Sequence, residues 1–389
     1  MKKQIKITRY FKQFFNRSES SGILLILCVI VSLFIANSSA RESFHHLLEY
    51  PLGPYTFSEW VNDGLMAIFF LLVGLEIKRE LIDGELSDLK NASLPIIAAL
   101  GGMLVPALIY TLFNYGTEYQ HGWGIPMATD IAFSLAIISM LSNRVPVSLK
   151  IFLAALAIVD DLGAILVIAI FYTDDLAWNN LLISGGILAL LILMNKMGIK
   201  KLLFYIIPGL FLWYFMHHSG IHATIAGVML AFTIPTKQGK KKISPLEKLE
   251  HILGIPVNFI IMPIFALVNT NIVLKFGMVD GLFTSFGAGI ILGLIAGKVI
   301  GILLACIISV KSGISQLPSQ ASWGQMIGVG LLAGIGFTMS IFIAILSFRG
   351  HSAFQDEAKF AILVASTIAG ILGYSVLKFL SKKKNAKHL

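Results

Sequence analysis

The sequence predicts an all-α polytopic membrane protein with about 12 transmembrane helices. Of its 389 residues 56% are hydrophobic and only 13% charged, about half the charged share of a soluble domain. The mean hydropathy is +0.82, and stretches such as 21–40 and 282–296 contain no Asp, Glu, Lys, Arg or His. The basic residues fall in short strips between the apolar runs. A β-barrel would instead alternate polarity in segments of roughly ten residues. The net charge of +9 does not form the continuous basic face that nucleic-acid binding needs. Cys28 and Cys306 both sit inside apolar runs, which speaks against a disulfide scaffold or a thiolate metal site.

A crossing helix needs about 20 apolar residues. Runs between polar or Pro/Gly breaks give twelve: 20–38, 59–77, 92–113, 122–142, 149–172, 180–195, 201–217, 219–235, 253–272, 284–310, 323–347 and 358–378. Residues 1–389 thus read as one transmembrane domain, with basic ends at 1–19 and 379–389. When loops are assigned to alternate sides, 25 of the 30 Lys and Arg residues fall on one side and four on the other, with Lys298 inside a span. By the positive-inside rule both termini are cytoplasmic.

Span one is a charge-free run; a cleavable signal peptide has a similar outline, but this stretch is long for one. Span two carries Asp63 near its outer end and Glu76 near its cytoplasmic end. There GLEIKREL continues into Arg79 and Glu80, which with Glu250 and His251 of LEKLEH form a mixed-charge surface strip. Such strips are often solvated networks of little energetic weight. Span three is uncharged. In span four, GWGIPMATDIAFS, Gly122, Gly124 and Pro126 precede Thr129 and Asp130, so regular helix is not expected there.

Span five, AALAIVDDLGAILVIAI, places Asp160 and Asp161 near mid-membrane. A charge at that depth costs at least about 2.5–3.5 kcal/mol and is a functional hypothesis by default. Adjacent carboxylates titrate as a pair. Their hard oxygens suit H+, Na+ or Li+, and these ligands exclude one another, which is sufficient chemistry for cation/proton exchange. The alternative is a carboxylate pair bonded to neighbouring helices for packing. Spans six to eight are short; His222, in HHSGIHATIAG, is a packing histidine or a pH-responsive group. Span nine is apolar. Span ten holds Lys298, the one cation inside a span, which needs an acidic partner or the negative end of a helix unless it snorkels. Span eleven, GVGLLAGIGFTMS, is a second glycine-dense stretch. Paired interrupted helices mark transporter sites, although glycine also serves close packing. Span twelve leads into the basic tail.

The strings GLEIKREL, ATDIAFSLAI, RVPVSLKIFLAALAIVDDLGAI, SGIHATIAG and AGIGFTMSIFIA, in this order, closely resemble those of NhaA-type bacterial Na+/H+ antiporters over nearly the whole chain. The resemblance implies inverted repeats made by spans three to five and ten to twelve, with spans four and eleven broken and crossing, an architecture for which this family is a standing example. It implies that Asp161 is the central cation ligand and Asp160 the partner of Lys298. Asp130, with Thr129, offsets exposed positive helix ends, and Glu76, Arg79, Glu80 and Glu250, with His251 beside them, belong to a pH-response cluster. The run LEHILGIPVNF, with Gly254, departs from relatives that carry a histidine and then a proline soon after LEH.

The expected activity is electrogenic exchange of cytoplasmic Na+ or Li+ for two protons across a bacterial inner membrane, activated at alkaline pH. Its role would be pH and sodium homeostasis, without a cofactor, and the protein would not be an enzyme. Lipid bilayer and a second copy are the expected partners, the dimer forming through an outer hairpin with which PLGPYTFSEW is compatible. An aspartyl protease would need facing acids and a GxGD string, whereas neighbours on one helix point about 100° apart. A retinal protein is disfavoured by the span count. A cation channel, or another cation-coupled transporter, is the remaining alternative.

Overall fold

The computed structural model describes residues 18–141, 144–173, 176–236 and 243–380. Most of the basic N-terminus, the whole lysine-rich 237–242 loop and nearly all of the basic tail lie outside the described residues. Almost everything described is helical. Two compact units emerge: one from the described parts of Met1–Leu33, Asp88–Ala164 and Ile272–Leu389, the other from Phe34–Ser87 and Ile165–Asn271.

Among the described residues, seven helices are long and apolar enough to cross a membrane, or up to nine if each bent pair is one span. Twelve were expected from the apolar runs. The difference lies in segments that are apolar but short as helices. Residues 201–217 form the 15-residue Leu203–His217 and 219–235 only the ten-residue Thr224–Thr233. The run 59–77 is divided between a short helical turn, a π-helical turn at Trp60–Leu65 and the helix Met66–Ile82.

The first unit contains α1 (Ser18–Ala36) as far as Leu33 and α2 (Leu89–Asn114). A 3-10 segment, Gln120–Met127, then leads through extended Ala128 into α3 (Ile131–Met140), and α4 (Val147–Phe171) belongs here as far as Ala164. Further along come α5 (Ser285–Leu292), a π-helical turn at Gly293–Gly297 and α6 (Lys298–Lys311). The helices α7 (Trp323–Ala333) and α8 (Phe337–Ser347) form one run bent by 45°. Finally, α9 (Ser352–Leu380) closes the unit. The start of α7 is set by a capping box in which Ser322 and Gln325 satisfy each other's backbone N–H groups, two of the four donors that any helix start leaves open.

Lys298 is positioned by the contact of α2 with α6. A Cβ at Gly301 would lie 2.1 Å from the Gly101 carbonyl oxygen, and one at Gly101 would lie 2.3 Å from that of Gly301. Only two glycines allow the backbones to approach this closely. Lys298 sits one turn before this contact, directly after the π-helical turn, a type of irregularity that concentrates at functional sites.

The second unit packs Leu75, Leu191, Tyr205, Leu212, Met216 and Leu230 into one core. Its helix Met66–Ile82 lies against Thr224–Thr233, and Lys78 Nζ donates to the Phe232 and Ile234 carbonyls at 2.7 and 2.5 Å. The ammonium thereby satisfies the end of a helix whose dipole is negative there. A two-stranded hairpin, β1 (Pro51–Leu52) and β2 (Tyr55–Thr56), turns through Gly53 at φ +74°. Trp60 Nε1 donates to the Leu52 carbonyl at 2.9 Å and holds the hairpin down.

Gly301→Val should therefore force α2 and α6 apart, costing about 1–3 kcal/mol or more. Gly254→Ala, where a Cβ meets nothing within 4 Å, should leave stability unchanged or raise it. Thermal unfolding in detergent checks this; equal melting temperatures for the two variants would refute the packing argument.

Candidate functional site

Four sequence-predicted residues converge in the first unit, and a fifth adjoins them. Lys298 Nζ forms an ion pair with Asp160 Oδ2, and both side chains are fully buried. Thr129 links that pair to a broken helix. Its hydroxyl accepts from Lys298 Nζ at 3.0 Å and lies 2.6 Å from Asp160 Oδ2 and 2.8 Å from the Ala333 carbonyl oxygen. A hydroxyl carries one hydrogen, so it donates to the carboxylate or to the last residue of α7, not to both. Among the described residues, Lys298 thus reaches the negative end of α7 through Thr129. The other Asp160 oxygen, Oδ1, is buried and has no hydrogen-bond partner among the described residues.

Asp161 follows on the same helix and is 1% exposed. Adjacent residues on a helix point about 100° apart, so Asp160 turns to Lys298 and Thr129 while Asp161 leaves in another direction. A buried carboxylate already bonded to an ammonium, beside a second buried carboxylate, is a small set of hard oxygen ligands. Oxygen ligands of this kind suit protons or hard cations.

Asp130 holds two helix starts together. It is the N-cap of α3, where Oδ1 accepts from Phe133 N–H at 3.1 Å. Its Oδ2 accepts from Thr338 N–H at 3.1 Å and from the Thr338 hydroxyl, both at the start of α8. Asp130 N–H donates to the Ile335 carbonyl at 2.6 Å. One carboxylate therefore lies at the positive ends of two helices, and its backbone serves a carbonyl freed by the break between α7 and α8. Gly334 makes that break compact: a Cβ there would lie 2.3 Å from the Leu294 carbonyl oxygen.

The remaining predicted residues lie in the second unit. Arg79 pairs with Glu250 and, at 2.8 Å, with Glu80. Glu76 is half-buried on the same helix, one turn before Glu80, whereas His251 is exposed and takes no part in these pairs. Asp63 Oδ1 lies 3.3 Å from His222 Nε2, and His222 Nδ1 lies 2.7 Å from the Thr224 hydroxyl. That pairing joins residues 159 positions apart and has no signature in either span.

Sequence reading also missed Thr338, Ser340 and Ser366. The Ser340 hydroxyl donates to the Ile125 carbonyl at 2.7 Å, and Ser366 Oγ accepts from Phe337 N–H at 3.1 Å. A hydroxyl residue just after a glycine-dense stretch was the available signal in FTMS, matching the Thr129 of MATD. Nothing local marks Ser366 in α9.

A family model and curated relatives match this chain over nearly its whole length. The family described as Na+/H+ antiporter 1 matches residues 12–377. A Na+/H+ antiporter NhaA 2 of Flavobacterium johnsoniae is 57% identical over 97% of this chain and 94% of its own length. A Na+/H+ antiporter NhaA of Flavobacterium psychrophilum is 52% identical over 97% and 98%, and one of Cytophaga hutchinsonii 49% over 99% of both.

Lys298→Met should leave the Asp160 carboxylate buried without its cation and cost about 3–5 kcal/mol, while adding Asp160→Asn should recover much of the loss. Thermal unfolding of wild type, both single variants and the double variant measures the coupling; additive effects would show that the pair is not an energetic unit. Thr338→Val should cost about 1.5–3 kcal/mol, the range for a hydrogen bond to a charged group, read by the same melt. An unchanged melting temperature would remove Thr338 from the Asp130 network.

Proposed function

The chain belongs to the Na+/H+ antiporter 1 family, and from that premise we propose that it is an electrogenic Na+(Li+)/H+ antiporter working by alternating access. The observation that carries this reading is the fully buried Asp160–Lys298 ion pair with Asp161 beside it. Three ionisable groups withdrawn from water at that depth mark a functional site by default. Asp161 is assigned as the central cation ligand, with Asp160, Thr129 and Asp130 supporting it.

In the proposed cycle, a cytoplasmic Na+ or Li+ reaches the carboxylates once they have lost their protons. After the site opens outward, the cation leaves and two protons return, one to Asp161 and one to the Asp160–Lys298 pair. One net positive charge enters per turn. An interior-negative potential favours this by roughly 2.3 kcal/mol per 100 mV. Raising cytoplasmic pH removes the competing protons, so transport rises with pH.

Around the site we place twelve helices with inverted repeats, in which the segments broken at 128–130 and 334–336 cross. The hydrogen bonds between those two segments support their meeting at one place. The strong bias of Lys and Arg to one side supports cytoplasmic termini in a bacterial inner membrane. The group of Glu76, Arg79, Glu80 and Glu250, with neighbouring His251, is proposed as the pH-response region. The hairpin at 51–56 is proposed as a contact between two copies. Asp63, paired with His222, is proposed for the outer side. The protein acts without a cofactor and contributes to sodium and pH homeostasis.

The test is Na+- and Li+-induced collapse of a proton gradient in inside-out vesicles from an antiporter-deficient host, between about pH 6.5 and 8.5, where a perturbed carboxylate or histidine can titrate. Activity should rise with pH and vanish in Asp161→Asn. Survival of activity in that variant would move the site off α4. In proteoliposomes, an imposed interior-negative potential should accelerate Na+ extrusion; indifference to potential would rule out the two-proton stoichiometry. Cation currents without proton movement would establish the channel alternative instead.

A further inference from the structure

A groove of about 400 Å3 opens within the first unit, lined by α1, α3, the α7–α8 break and α9. It belongs to none of the ion-binding groups. Along α9 it runs from Leu363 to Ser375, about 18 Å at 1.5 Å per residue. One leaflet of a bilayer is roughly 15 Å of hydrocarbon, half of the usual 30 Å core. The groove therefore has the length of one leaflet's acyl chain.

Its cross-section narrows the choice of occupant. Dividing volume by length gives roughly 22 Å2, whereas a helix 10–12 Å across with its side chains needs several times more. The chemistry of the wall is apolar, with its few hydroxyls largely engaged. Ser366 Oγ accepts from Phe337 N–H at 3.1 Å, and the Thr367 hydroxyl donates to the Leu363 carbonyl of its own helix at 2.8 Å. Gly370 opens the middle, where a Cβ would come within 3.2 Å of Ile137 and 3.6 Å of Ile335. The inner end is closed by Phe337, packed edge-on against Phe133 with ring centroids 5.0 Å apart.

The other end carries charge. Tyr374 lines the groove, and one turn further on the same face of α9 is Lys378, exposed, with Nζ 5.5 Å from the Tyr374 ring centroid. The sequence continues into Lys382, Lys383 and Lys384. A basic group at the end of a membrane helix attracts anionic head groups.

We propose that the groove holds one acyl chain of an anionic phospholipid from the leaflet on the side of the C-terminal tail, with its phosphate on Lys378. The chain tip then lies against Ile335 and Phe337. Their backbone groups bond Asp130 and Ser366, so the lipid buttresses the break that carries the ion site.

Photoactivatable phospholipids with a diazirine near the end of one acyl chain provide the test, in proteoliposomes of the full chain. Phosphatidylglycerol and phosphatidylethanolamine forms are compared, and labelled peptides are mapped by mass spectrometry. Labelling should concentrate on Phe133–Met140 and Ile335–Phe337. Gly370→Phe, which fills the groove, should lower that labelling several-fold. Lys378→Glu, an exposed change that does not threaten folding, should reduce the phosphatidylglycerol signal about fivefold, the effect of one lysine near an anionic head group. Labelling spread evenly over the apolar surface, or unaltered by Gly370→Phe in a folded protein, overturns the site. Equal labelling by both head groups, insensitive to Lys378→Glu, overturns the assignment of an anionic lipid.

Discussion

Lys298 and Asp160 bury opposite charges with no surface left to water, and most of the first unit can be understood as the means of keeping them together. Neither charge is tolerable alone at that depth. Their attraction offsets desolvation only when geometry is good and further hydrogen bonds are present. The glycine contact between α2 and α6 supplies the geometry, because it fixes α6 within one turn of the ammonium. Thr129 supplies the further hydrogen bond. Its single hydrogen makes that support conditional, since the hydroxyl serves either Asp160 or the end of α7.

The broken segments follow from the same constraint. Non-helical backbone within a membrane needs partners from the protein itself. Here much of that need is met between the two breaks: Ile335 accepts from Asp130 N–H, Ala333 faces Thr129, and Ile125 accepts from Ser340. A change in protonation at Asp160 alters what Thr129 bonds and therefore what Ala333 receives. Chemistry at the carboxylates and conformation at the breaks share atoms. On the proposed mechanism, those shared atoms are what would couple ion binding to opening on one side or the other.

Much of this was legible in the sequence because charge in an apolar run is conspicuous. Asp130, Asp160, Asp161 and Lys298 could be found one by one for that reason, and Gly122, Gly124 and Pro126 marked the first break. What a single span cannot encode is partnership. Thr338 binds Asp130 from 208 positions away, His222 meets Asp63, and Lys78 closes a helix whose end lies 154 residues later. Each is an ordinary polar residue until the fold supplies its neighbour. Span counting was blurred for a related reason. Hydropathy measures apolar length, whereas π-helical turns, proline and short helices decide how much of that length is continuous helix.

The second unit shows how differently the same residue types behave outside such confinement. Arg79 meets Glu80 and Glu250 with side chains that are 39%, 16% and 14% exposed. Water therefore screens part of the interaction, and its worth in stability is smaller. Partial exposure also leaves these groups in contact with solvent. The fully buried Lys298–Asp160 pair has no such contact. In the proposed cycle the buried pair would meet only the side to which it has opened, while the exposed network stays in contact with its own solvent. Separating the two is what would let an exchanger respond to one compartment while carrying ions between both.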